Sequence, residues 1–136
     1  YIGVTPMIIT GTLWENLLYG STEKIEDSKI LESINQFQLF NEDIDNVLEL
    51  EVSNKSLSSG QMQKVSFIRA ILSNVEILLL DESTSNLDDY SRDLIFKILK
   101  EKKITIINCT HNPEFFDYDN EIKIEVVNNE RKLSFN

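Results

Sequence analysis

The chain has 136 residues and carries 13 Lys and Arg against 23 Asp and Glu, a formal charge of −10. Such an acidic chain lacks the basic footprint that a general nucleic-acid binder uses to displace counterions. Its 41% apolar content is too high for a disordered acidic tail. Its longest unbroken apolar run, Ile77–Leu80, is too short to span a membrane as a helix.

One cysteine, Cys109, can form no internal disulfide, and one histidine, His111, can form no His-rich metal site. Tyr1-Ile-Gly-Val4 reads as a strand already under way, and no basic region followed by an apolar one resembles a signal peptide. The chain is therefore expected to begin inside a longer protein. Short helices are expected in the first half. Asp27 can cap a helix to about Gln38, with Ile30, Leu31, Ile34 and Phe37 on one face. Asn41 can cap a second, with Ile44, Val47 and Leu48 inward, and the polar stretch Glu51–Ser56 reads as a loop. Ser58-x-x-Gln61 fits a capping box that opens a helix with an apolar stripe at Val65, Ile68 and Leu72.

The rhythm then changes. Glu76-Ile-Leu-Leu-Leu-Asp81 has the composition of a strand buried on both faces. A helix over about Asp89–Lys102 is expected to bury Leu94, Ile95, Ile98 and Leu99, and a second strand runs from Ile104 to Asn108. Asn112 and Pro113 look like the cap and first-turn proline of a short helix. Ile122–Val127 and Arg131–Phe135 suggest a hairpin turning at Asn128-Asn129. Strand, helix, strand implies a parallel sheet, hence an α/β core preceded by a helical insertion.

Three places carry chemistry. Leu57-Ser58-Ser59-Gly60-Gln61 stands at a helix start, where unpaired N–H groups and the macrodipole favour an anion; alone, it reads more readily as an ordinary Ser-capped helix, since capping boxes are common. Asp81 and Glu82 end an apolar strand, the side of an α/β sheet where ligands bind. Two adjacent carboxylates there suit a division of labour, one on the Mg²⁺ side and one taking a proton from water. The plainer reading of the pair is a strand end followed by a capping acid. His111 follows the next strand, and adjacent parallel strands would bring it to the same edge; a lone histidine is more often a satisfied surface or core residue.

Together, Leu57–Gln61, Ile77–Glu82, Ser85-Asn86-Leu87-Asp88 and His111 resemble, in order, the signature motif, Walker B strand, D-loop and switch histidine of the ATP-binding-cassette family. Gln61-Met-Gln63-Lys64 and Arg69-Ala70 continue the signature helix as that family does. Pro6 with Gly11-Thr12-x-x-Glu15-Asn16-Leu17 is similar to the stretch after the Q-loop of exporter-type members. The resemblance implies a partial P-loop NTPase fold: a parallel-sheet core, an α-helical subdomain and a C-terminal β-hairpin. It makes residues 1–136 the C-terminal part of one nucleotide-binding domain, about 12–69 helical and about 70–136 α/β.

It further implies ATP and Mg²⁺ as cofactors, with Glu82 as general base, Asp81 on the Mg²⁺ side and His111 on the γ-phosphate. Ser58, Ser59, Gly60 and Gln61 would hold the ATP of a partner domain, with Asp88 crossing the interface. The implied partners are a second nucleotide-binding domain, like or unlike, and the transmembrane domains of an exporter. The place is the cytoplasmic face of the cell membrane, with these residues themselves soluble. The sequence departs from the family in three ways, the first being that Glu51–Ser56, before the signature, is shorter than the glycine-containing loop of many exporters. None of Gly3, Gly11, Gly20 and Gly60 is followed by Lys, so no Gly-x-x-x-x-Gly-Lys phosphate loop occurs. With Pro6 setting the register, Val4 stands where the family has its Q-loop glutamine. Two other readings remain open: a soluble chromosome-maintenance or DNA-repair ATPase of the wider superfamily, and a regulatory module that no longer turns over ATP.

Overall fold

Helical periodicity in the first half and apolar runs in the second are both realised in a computed structural model that describes all 136 residues. β1 (Gly11–Thr12) leads into α1 (Leu13–Leu17), then come α2 (Asp27–Gln36), a single 3-10 turn at Val47–Glu49, β2 (Glu51–Val52) and α3 (Ser59–Leu72). After them lie β3 (Ile77–Asp81), α4 (Asp89–Glu101), β4 (Thr105–Cys109), a 3-10 turn at Pro113–Phe115, β5 (Ile122–Val127) and β6 (Glu130–Phe135).

α3 is the axis of the helical layer. Its start is fixed by the expected capping box: Gln61 N–H donates to Ser58 Oγ at 3.1 Å and Ser58 N–H donates to Gln61 Oε1 at 2.9 Å. Two orphan donors are thereby satisfied before the first turn closes. Its stripe of Val65, Ile68 and Leu72 is buried, and it packs on α1 and α2. α1 uses the same device through Thr12 and Glu15. Twenty apolar side chains form one contiguous core that runs from Ile2 through Phe37 and Phe67 to Leu99.

β3 and β4 pair in parallel, from Ile77 opposite Thr105 to Asp81 opposite Cys109. On the other edge of β3, Ile2 adds a parallel bridge, its N–H donating to the Leu79 carbonyl at 2.8 Å and its carbonyl accepting from Asp81 N–H at 2.9 Å. α4 starts on Asp88, whose carboxylate accepts from Ser91 N–H at 2.7 Å. The hairpin turns at Asn128 and Asn129, with φ of 54° and 62°, the two left-handed residues that a type I′ turn requires.

Several expectations are corrected. No helix forms from Asn41: four of the six residues Asn41–Asn46 are Asn or Asp, poor helix formers. Asn46 there is left-handed at φ 52°, so only the turn at Val47–Glu49 remains. Leu31 points off the buried face of α2, and Glu26, not Asp27, holds the N-cap position. Glu51 and Val52 are a short strand, not loop, paired antiparallel with β1. β3 alternates instead of being buried throughout: Leu78 and Leu80 are covered, whereas Ile77 and Leu79 are exposed because no element of this chain lies on their face. Cys109 is likewise exposed, not packed, and Asn112 makes no side-chain cap bond.

Candidate functional site

Parallel pairing of β3 and β4 brings Asp81, Glu82 and His111 to one sheet edge. The Glu82 N–H donates to the Cys109 carbonyl at 3.0 Å, continuing the ladder one residue past the strand. Its backbone then turns left-handed at φ 50°, a conformation uncommon for a residue with a side chain. Glu82 Oε1 accepts from the His111 backbone N–H at 2.7 Å. The expected neighbourhood of Glu82 and His111 therefore exists, made by the main chain; the exposed imidazole has no partner within this chain. Asp81 is exposed at the strand end, its Oδ2 accepting from Tyr1 O–H at 3.1 Å. That bond is the main reason the Tyr1 hydroxyl titrates above its ordinary value.

A second cluster forms at the start of α3. Ser58, Gly60, Gln61 and Lys64 line a groove of about 260 Å³ with Asn86 and Asp88. The amides of Ser59 and Gly60, at the first two helical positions, have no intrahelical acceptor. Ser59 is exposed at this end. Gln61 is committed through Oε1 to the cap, which leaves its side-chain N–H₂ free to donate. A Cβ on Gly60 would stand 3.3 Å from the Asn86 carbonyl, so glycine is what allows this close approach of helix and loop. Asp88 titrates below its ordinary value, chiefly because of the Ser91 N–H, with the Lys64 charge adding to the effect. Burial pushes the Lys64 ammonium down, and it donates to the Gln38 carbonyl at 2.9 Å. None of Asp81, Glu82 and His111 lines this groove, so the candidate residues fall into two separate sets.

The donor set can be tested against the cofactor it implies. No group of three or more His, Cys, Asp or Glu side chains converges anywhere in the chain. A protein cage is excluded, but one exposed carboxylate fits Mg²⁺, which keeps most of its waters and takes oxygens from phosphate.

Motif spacing does not disclose the network that holds these elements in place. Asn16 is fully buried: Oδ1 accepts from Ile9 N–H at 3.0 Å and from Arg69 Nη2 at 3.3 Å, while Nδ2 donates to the carbonyls of Ile9 and Thr12, each at 3.0 Å. Arg69 also donates to the carbonyls of Met7 and Asn16, lies over the Tyr19 ring, and is pushed below its ordinary pKa by burial. Gln63 is fully buried on α3 and donates to the Gly3 carbonyl at 3.2 Å. The resemblance passes through Asn16, Gln63 and Arg69, and an amide or guanidinium inside an apolar stripe is the sequence signal that points to their burial.

Comparison with known proteins gives the family. The family model described as ABC transporter matches residues 5–85, more than half of the chain. The chain is 35% identical over 126 residues to the SPbeta prophage-derived sublancin-168-processing and transport ATP-binding protein of Bacillus subtilis (strain 168), covering 90% of this chain and 18% of that protein. It is 37% identical over 116 residues to the lactococcin-A transport/processing ATP-binding protein of Lactococcus lactis subsp. lactis, covering 82% and 16%. Over 119 residues it is 37% identical to ABC transporter B family member 3 of Dictyostelium discoideum, covering 82% and 8%. The chain belongs to the ABC transporter family, and its α/β fold is that of the family's ATP-binding domain. It spans less than a fifth of the length of these relatives. No helix is long and apolar enough to cross a membrane.

Proposed function

We propose that these 136 residues are the C-terminal part of a nucleotide-binding domain and supply the signature and Walker B sides of ATP hydrolysis to an exporter. The helical residues, about 12–69, dock on transmembrane domains at the cytoplasmic face of the membrane. The observation that carries the reading is the 2.7 Å contact between Glu82 and the His111 segment, which gathers both strand ends at one edge. Glu82 is the general base, taking a proton from the attacking water at its carboxylate. His111, with an exposed imidazole, donates to the γ-phosphate.

Asp81 holds the Mg²⁺ side of the nucleotide; when bound, that ion neutralises charge developing on the phosphoryl oxygens. At the second cluster, the free amides of Ser59 and Gly60, the Ser58 hydroxyl and the Gln61 side-chain N–H₂ bind the γ-phosphate of ATP held by a second domain. Asp88, beside that groove, reaches across the interface. The separation of the candidates into two sets supports this reading, since a head-to-tail pair uses one set from each domain.

The deciding experiment is Glu82→Gln in the full-length transporter. Loss of a positioned base lowers turnover about 100-fold or more while ATP affinity is kept. Unchanged turnover overturns the assignment.

A further inference from the structure

We propose that Gln63 is a positioning residue: its side-chain amide pins the Gly3 carbonyl and so fixes the segment Ile2–Val4 between the signature helix and the Walker B strand. Three successive residues of that segment are held by three different elements. Ile2 is bonded to β3 through Leu79 and Asp81, Gly3 to α3 through Gln63, and Val4 to the D-loop through Asn86 Nδ2 at 3.1 Å. Between the helical residues 11–72 and the α/β residues 75–136, the only direct side-chain hydrogen bond is Gln38 Nε2 to Tyr90 O–H at 3.1 Å, on the surface. Gln63 makes the buried connection through Gly3.

Its energetics point to positioning as well. Gln63 is fully buried, yet Oε1 has no hydrogen-bond partner. An unfilled buried acceptor is destabilising, and an apolar side chain of equal length would avoid that cost. The amide is thus placed for its one bond, to the Gly3 carbonyl. The consequences reach both candidate clusters. Asp81 N–H donates to the carbonyl of Ile2, the neighbour of the pinned residue, and Asn86, which holds Val4, lies against Gly60. A segment free to drift loosens the strand end carrying Asp81 and Glu82 together with the loop facing the signature turn.

The catalytic consequence rests on the proposed ATPase function, and the pinning does not, so two measurements separate them. In hydrogen exchange on the full-length protein, Gln63→Met keeps the length but loses the donor. The amides of Ile2 and Asp81 should exchange about tenfold faster, those of β5 and β6 unchanged. Asn86→Ala, on the other side of the segment, should also accelerate Ile2 and gives a second variant whose folding does not depend on the core. Exchange at Ile2 and Asp81 unchanged in both variants overturns the pinning.

In the full-length transporter, Gln63→Met should lower kcat about tenfold with KM for ATP within about twofold. Adding Asn86→Ala should cost little more, since both free one segment. Full additivity, or kcat unchanged where Glu82→Gln abolishes turnover, overturns the positioning role and leaves the ATPase reading intact. Equal turnover of the wild type and Glu82→Gln overturns the ATPase reading, while the exchange result still decides whether Gln63 holds the segment.

Discussion

Asn16→Ala is expected to unfold this chain more readily than truncation of any exposed side chain. The wild-type amide is fully buried and makes four hydrogen bonds, to both backbone groups of Ile9, the Thr12 carbonyl and Arg69 Nη2. Truncation leaves the Ile9 N–H, the Ile9 carbonyl and one guanidinium N–H without partners at a part-buried site. Each such bond contributes about 1 kcal/mol net, and a buried group left unpaired costs about 1–3 kcal/mol. Water entering the small void returns part of this, so the expected loss is about 3–4 kcal/mol, or about 10 °C in Tm for a chain of this size. Urea unfolding followed by circular dichroism gives the free energy with m as the control for the denatured state. Asn16→Leu makes the test sharp, because it fills the volume without restoring any bond. A loss below about 1 kcal/mol for Ala, or wild-type stability for Leu, would refute the hydrogen-bond account in favour of simple packing.

Two further outcomes are expected. The Asp88 carboxylate is depressed below its ordinary 3.8 by the Ser91 N–H, so its stabilisation is present above that value and lost as pH falls through the folded-state pKa. Asp88→Asn keeps an acceptor but does not titrate, so the stability advantage of the wild type at about pH 6 should shrink by about pH 3, measured by urea midpoints at both. Val4→Gln, in the full-length transporter, should raise the hydrolysis rate several-fold by placing a polar side chain where only an exposed valine now stands; an unchanged steady-state rate would count against the register set by Pro6.

What the sequence made legible was local. The Ser58–Gln61 box and the Asn128-Asn129 turn each close within four residues, so spacing and side-chain chemistry suffice. The meeting of Glu82 with the His111 segment needed one more step, the parallel pairing implied by two apolar strands joined by a helix. Gln63 finds Gly3 across 60 residues and Arg69 finds Asn16 across 53, pairings that no period encodes. The error at Asn41–Leu48 has another cause. Ile44, Val47 and Leu48 are spaced as a helix face and are half-buried, but the intervening Asp and Asn residues favour turns, and the segment packs without regular structure beyond its single 3-10 turn. β3 misled by composition: an unbroken Ile-Leu-Leu-Leu run gives no hint that no element of this chain covers one of its faces.

The charge that first excluded nucleic acid bears on the proposed mechanism too. Asp81, Glu82 and Asp88 place three carboxylates around the candidate clusters, and the one cation in the signature groove, Lys64, is already engaged with the Gln38 carbonyl. A triphosphate approaching this chain alone meets Asp81 and Glu82 at one cluster and, at the other, the Asp88 carboxylate beside dipoles: the amides of Ser59 and Gly60, the Ser58 hydroxyl and the Gln61 amide. Dipoles of this kind orient a phosphate but carry no net charge to offset it. Under the proposed function, the offsetting cations therefore arrive with the nucleotide, as Mg²⁺ and as the lysine loop that these 136 residues do not contain. Binding at the signature turn is then conditional on a nucleotide already neutralised elsewhere. A helix N-terminus with no free cation beside it suits such conditional binding, because it reads the geometry of the γ-phosphate and adds little to affinity on its own.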